Sequence, residues 1–303
     1  MTSALALFVG VLLLPDAAAA HSGPGATSES IAVWRAEPAL LAAVALAGVL
    51  FAQAFVRLRR RGRDDHAPWA RAALFGAGLA LAALPLVSPL DEIGEEYLLS
   101  GHMLQHVLIG DAAAALLVVA LRGPLLFFLL PPPLLRRLAR FGALRAALRF
   151  LLRPQVSFAV WALSVAVWHV PAAYGLALEN AVVHDLEHLS FVVGGLLAWT
   201  QLVDPAKRSV LSRPGRFAFA LGMLVVGGAL SNVLVAAAGP IYSAYAAQSE
   251  RLLGLSPEAD QDFAGLVMMA EQFLVLGAYF AFLLRAHFRE PVAVAPSRHP
   301  LAL

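Results

Sequence analysis

The chain has 303 residues, of which 60% are hydrophobic and 14% are charged, and its formal net charge is only +2. A soluble domain carries about 25% charged residues, so this balance excludes an ordinary soluble enzyme or a nucleic-acid binder and points to a polytopic membrane protein. Cysteine is absent, which excludes disulfides, zinc–thiolate sites and cysteine-based metal relays and leaves His, Met, Asp and Glu as available ligands.

The chain begins with a short apolar run at 4–14, followed by Pro15, Asp16 and the small residues Ala17–Ala20. This pattern resembles a secretory signal peptide, or a short apolar anchor, over 1–20, although no basic residues lead it. A single helix-bundle domain is expected over 21–290, with a cytoplasmic tail at 291–303. Seven apolar segments lie in the domain, each near the ~20 residues that cross a bilayer. They fall at about 38–56, 69–90, 100–121, 155–174, 184–203, 217–238 and 263–285. The fold class is therefore all-α: a polytopic bundle of about seven transmembrane helices after a signal-like segment.

Charge fixes the sidedness. Six arginines lie between Arg57 and Arg71, seven more lie between Arg122 and Arg153, and Lys207, Arg208, Arg213 and Arg216 follow the fifth segment. The alternate loops, 91–99, 175–183 and 239–262, hold Asp91, Glu92, Glu95, Glu96, Glu179, Glu250, Glu258, Asp260 and Asp262, with only Arg251 opposing them. Basic loops stay cytoplasmic, so the N-terminus is expected outside and the C-terminus inside. Arginine far outnumbers the one lysine, Lys207, and Ala and Leu abound. That is the usage of a GC-rich bacterial genome, and the expected location is the bacterial inner (plasma) membrane. Within the second basic stretch, Pro131-Pro132-Pro133 breaks the helix, and 134–153 alternates apolar and arginine faces. An interfacial helix resting on anionic membrane lipid is expected there.

Histidines gather at the opposite end. His102 and His106 open the third segment and His184 and His188 open the fifth, each pair four apart and so on one helix face. His169 falls in the outer third of the fourth segment. Intramembrane ionisable groups are costly and normally kept for function, and five histidines at one depth point to a shared ligand site. Imidazole suits copper, zinc and iron, and thioether adds a preference for Cu(I). Met103 beside His102 is a candidate soft donor, so copper handled at the outer leaflet is the favoured reading. Asp260 and Glu271 are candidates for tuning the site, and Asp185 and Glu187 for orienting its histidines. Two alternatives stay open. His184–His188 reads H-D-L-E-H, the pattern of an intramembrane zinc metallohydrolase with Glu187 as general base. Axial histidines on two helices, such as His106 and His188, would also suit b-type haem.

Four stretches carry a family resemblance: S-G-H-M-L-Q-H at 100–106, W-H-V-P-A-A-Y at 168–174, H-D-L-E-H-L-S-F at 184–191 and D-Q-D-F-A-G-L-V-M at 260–268. In content and order they resemble the membrane-bound cytochrome c oxidase assembly proteins of the caa3-oxidase CtaG type. The resemblance implies a seven-helix bundle, not an enzyme, that helps mature a haem-copper oxidase of the respiratory chain at a copper-delivery step. Expected partners are the oxidase subunits, a periplasmic copper donor and membrane lipid. The chain departs from the family pattern at Asp111-Ala112-Ala113-Ala114, where a proline pair is common. It departs again at Ala198-Trp199-Thr200-Gln201, where aromatic and Trp-Pro residues are common, and at Met269, where Trp is usual.

Overall fold

The computed structural model describes residues 34–288; the signal-like segment 1–20, His21 and the tail 291–303 lie outside the described residues. All regular structure among the described residues is helical. Helix α1 spans Pro38–Arg59 and α2 spans Trp69–Val87. Helix α3 spans Leu99–Ala120 and contains a π-helical turn at Leu108–Ala112. After a five-residue helical turn at Pro124–Phe128 come the short helices α4 (Pro132–Arg140) and α5 (Gly142–Leu151), then α6 (Pro154–Trp168) and α7 (Pro171–Glu179). The long helices α8 (Ala181–Val203), α9 (Arg213–Ala236) and α10 (Pro257–Phe288) complete the bundle.

Six of these helices are long and apolar enough to cross a membrane, and a seventh span arises if α5 and α6 count as one broken span bent by 75°. The protein is thus a multi-pass helical membrane protein. Local chemistry places the ends. Prolines open α1, α6, α7 and α9, where the missing N–H costs nothing. Asn180 caps α8, its side-chain oxygen accepting from Val182 N (3.0 Å) and Val183 N (3.2 Å). That cap starts α8 one turn before His184.

The fourth segment differs from the expected 155–174. Its helix stops at Trp168, His169 closes it, and a separate helix begins at Pro171. The cause is local: Pro171 bars Val170 from helical geometry, and Val170 is extended at φ −71°, ψ 124°. The expected interfacial helix at 134–153 is likewise two helices, broken at Phe141, which sits extended at ψ 102°. Their arginines are exposed.

Helix α3 is the centre of the bundle. Of its apolar window 67% is buried, against 22–44% for the other spans. It packs on α2, α8 and α10, while α6 lies on α8 and α9 on α10. Glycines permit the closest approaches. A Cβ on Gly195 of α8 would lie 1.7 Å from the Gly110 carbonyl oxygen of α3, so only glycine lets these backbones meet. The basic connectors share one end: the Gly123 amide donates to Pro205 O (2.7 Å), and Arg71 donates to Arg122 O. The acidic connectors share the other, where Arg35 pairs with Glu92 (3.1 Å) and Gln248 donates to Glu96 O (2.8 Å).

Candidate metal centre

At that acidic end the start of α3 is held from two sides, and α6 is fastened to α8 beside it. Asp260, on the first turn of α10, accepts from Leu99 N (2.7 Å), Ser100 N (3.1 Å) and Ser100 Oγ (2.5 Å), capping α3 with a carboxylate from another helix. The turn Ile93–Tyr97 crosses over α3, and a Cβ on Gly94 would lie 2.9 Å from His102 Cα, so this crossing also requires glycine. Trp168 Nε1 donates to Ser190 Oγ (2.7 Å), whose hydroxyl donates to Glu187 O (2.8 Å), fastening the end of α6 to α8. Apart from Leu99, the residues that make these bonds belong to the four quoted stretches, and the bonds fix where the histidines sit.

The two histidine pairs face each other across the α3–α8 contact. Ring centroids lie 4.2 Å apart for His102–His106, 4.1 Å for His184–His188, 5.2 Å for His106–His188 and 5.5 Å for His102–His184. One ligand atom from each of His102, His184 and His188 lies within 4.8 Å of the other two, and the same holds for His102, His106 and Glu187. Phe191 packs on His106 at 4.6 Å and Tyr174 on His102 at 5.2 Å, so the walls are aromatic. His102 is 0% exposed, while the side chains of His184 and Glu95 are 12% and 17% exposed, which makes their edge the way in.

Hydrogen bonds decide which nitrogens are available. Tyr245 reaches in from the connector between α9 and α10 and donates its one hydroxyl proton to Gly94 O (2.7 Å). Its oxygen can then only accept from His102 Nδ1 (3.1 Å), so His102 carries its proton there and Nε2 keeps a lone pair. His102 Nε2 has no hydrogen-bond partner, nor do His106 Nδ1 and Nε2, His188 Nε2 and both Glu187 oxygens. Buried polar atoms are normally paired, so this many beside one another is the signature of donors arranged for a ligand. His184 Nδ1 contacts Glu95 Oε1 at 3.2 Å, the outer-group partner that commonly orients a ligating imidazole. Burial, then the neighbouring Asp91 carboxylate, push Glu95 up to about 8. A cation bound on the far side of the His184 ring would favour its ionised form.

Of the expected ligands, His102, His106, His184 and His188 come together; His169, whose Nε2 is also buried without a hydrogen-bond partner, enters neither triad, and Met103 packs among apolar side chains. His169 donates from Nδ1 to Val165 O (2.7 Å), its carbonyl accepts from Tyr242 Oη (3.1 Å), and it belongs to neither triad. Met103 is 1% exposed in an apolar cluster with Leu99, Tyr174, Tyr242, Tyr245 and Met268. Asp260 acts on the site through the α3 cap, and Asp185 is exposed. Glu271 lies deeper, hydrogen-bonded to Asp111, and Asp111 also accepts from Trp199 Nε1. Asp111 and Trp199 are two of the departures from the family pattern, and they meet each other. Glu95 and Tyr245 are site residues that sequence spacing did not reveal.

The sequence model of the cytochrome c oxidase caa3 assembly factor family (Caa3_CtaG) matches residues 49–290. The match covers well over half of the chain and all four stretches that build the site, so the chain belongs to that family. No curated protein and no solved structure matches it.

Proposed function

We propose that this member of the caa3 oxidase assembly-factor family holds copper as cargo between α3 and α8 and supports its insertion into the oxidase, without catalysing a reaction itself. The observation that carries this reading is the triad of His102, His184 and His188, with one ligand atom each inside 4.8 Å. Three imidazoles in a largely buried, cysteine-free pocket suit copper. His106 lies one turn deeper on α3, its ring 4.2 Å from that of His102, and Met103 packs in the apolar cluster that also holds Tyr174 and Tyr245. The segregation of arginines from carboxylates supports a pocket at the outer face of a bacterial plasma membrane, with the N-terminus outside and the C-terminus cytoplasmic. There a periplasmic donor and the oxidase subunits would both reach the His184–Glu95 edge.

The alternatives fare less well on geometry. A haem between His106 and His188 needs a macrocycle between the two imidazoles, but these rings pack directly at 5.2 Å. A hydrolase using Glu187 needs substrate and water beside it, and Glu187 is 0% exposed.

The test is copper content of the purified protein after Cu(I) loading, comparing wild type with His184→Ala/His188→Ala. One copper per chain, lost in the double variant, supports the reading. Equal copper in both proteins, or none in wild type, overturns it.

A further inference from the structure

The cluster is not one ring of equivalent donors. The triads His102/His184/His188 and His102/His106/Glu187 share only His102. The first lies toward the partly exposed His184 edge and consists of three imidazoles. The second lies one turn deeper on α3 and replaces one imidazole with a carboxylate. Glu187 is 0% exposed, neither of its oxygens accepts a hydrogen bond, and the nearest basic atom, His106 Nε2, is 3.7 Å from Oε1. His106 is itself 5% exposed, with both ring nitrogens lacking a hydrogen-bond partner. Two buried, unpartnered polar side chains thus face each other beside the Nε2 lone pair of His102.

We infer that His102, His106 and Glu187 form a second metal position, selective for a divalent cation, which competes with the outer position for His102. The inference deepens the copper reading and rests on it for the outer triad. Charge is the first reason. The outer triad brings no carboxylate to the ion itself, since Glu95 stands one ring away behind His184 Nδ1 (3.2 Å), so in a medium of low dielectric it offsets a divalent charge less directly than a triad that contains a carboxylate. The Glu187 carboxylate cancels one unit of that charge. Donor type is the second reason, because a carboxylate oxygen shifts preference from Cu(I) toward harder divalent ions. Exclusivity follows from the hydrogen bonds. His102 Nδ1 is committed to Tyr245, so the ring offers only Nε2 and cannot bridge two ions. One position at most is fully coordinated at a time, and the pocket sorts ions by valence.

The experiment titrates the full-length purified protein with Cu(I) and, separately, with Zn(II) as a redox-inert divalent probe, in wild type, Glu187→Gln and His184→Ala. Losing even a supporting group costs about 10–100-fold in metal affinity, so losing a ligand should cost at least that much. Glu187→Gln is expected to weaken Zn(II) by this amount and leave Cu(I) affinity nearly unchanged. His184→Ala is expected to do the reverse. In wild type, Cu(I) added to the Zn(II)-loaded protein displaces zinc, and total metal stays at one per chain. Equal weakening of both ions by Glu187→Gln, or two metals bound together, overturns the inference. If wild type takes Zn(II) but no Cu(I), and only Glu187→Gln loses zinc, the inner position stands and the copper reading falls. If neither ion binds, both fall.

Discussion

Asp260 and Glu187 are both carboxylates sealed inside the bundle, at 4% and 0% exposure. Asp260 accepts three hydrogen bonds and ties α10 to the start of α3. Glu187 accepts none, and the ring nitrogen of His106 stands 3.7 Å from it, beyond hydrogen-bonding distance. The same contrast separates the two nitrogens of one imidazole, since His102 Nδ1 is bonded to Tyr245 and its Nε2 is bare. Buried polar groups that hold a fold are paired, and those kept for a ligand are not. Burial alone would have placed Asp260 and Glu187 in one class; their partners put them in two.

The largest expected effect is at Asp260. Asp260→Ala strands the amides of Leu99 and Ser100 and removes a charged cap, which should destabilise the metal-free protein by about 3 kcal/mol. Thermal unfolding in detergent measures it, and a fall in Tm too small to detect would remove Asp260 from the structural class. Glu187 should behave oppositely. Replacing an unpaired buried carboxylate with an apolar group of similar volume, Glu187→Met, should raise metal-free stability by about 1 kcal/mol. A loss comparable to that of Asp260→Ala would erase the distinction between the two residues.

Much of this was legible before the structure. Apolar segments of spanning length, the i,i+4 histidine pairs and the segregation of arginines from carboxylates are periodic or compositional signals, and such signals survive in a linear sequence. The end of α6 was legible too in principle, since Pro171 restricts Val170, but the continuous apolar character of 155–174 hid the break. Glu95 and Tyr245 could not be read. Each reaches the cluster from a connector, 89 and 143 residues away from its histidine partner, as fixed by the His184–Glu95 and His102–Tyr245 contacts. No spacing rule joins residues so far apart. The role of Asp260 as a cap for α3 is hidden for the same reason. The pairing of Asp111 with Trp199 brings two departures from the family pattern, 88 residues apart in sequence, into contact in space.

Tyr245 belongs to both classes, which makes it the sharper test of the comparison. Its hydroxyl holds Gly94, Tyr174 and His102 together, yet what it controls at the site is which His102 nitrogen bears the proton. Tyr245→Phe should cost about 1 kcal/mol of stability and lower metal affinity about tenfold, as loss of an orienting partner does. If stability falls and affinity does not, the tautomer of His102 is set by something else.

Met103 gives the smallest expected effect. A thioether one residue from His102 is a plausible Cu(I) donor by sequence, but its helical position turns it toward Leu99, Tyr174 and Met268, where it packs as an apolar side chain. Leucine fills nearly the same volume without sulfur, so Met103→Leu should change stability by less than about 1.5 kcal/mol and leave copper stoichiometry and affinity as in wild type. Weaker Cu(I) binding with Zn(II) binding unchanged would mean that the sulfur swings to the ion on loading. The outer position would then be a three-nitrogen, one-sulfur site, and packing in the metal-free state would be a resting arrangement of the donor.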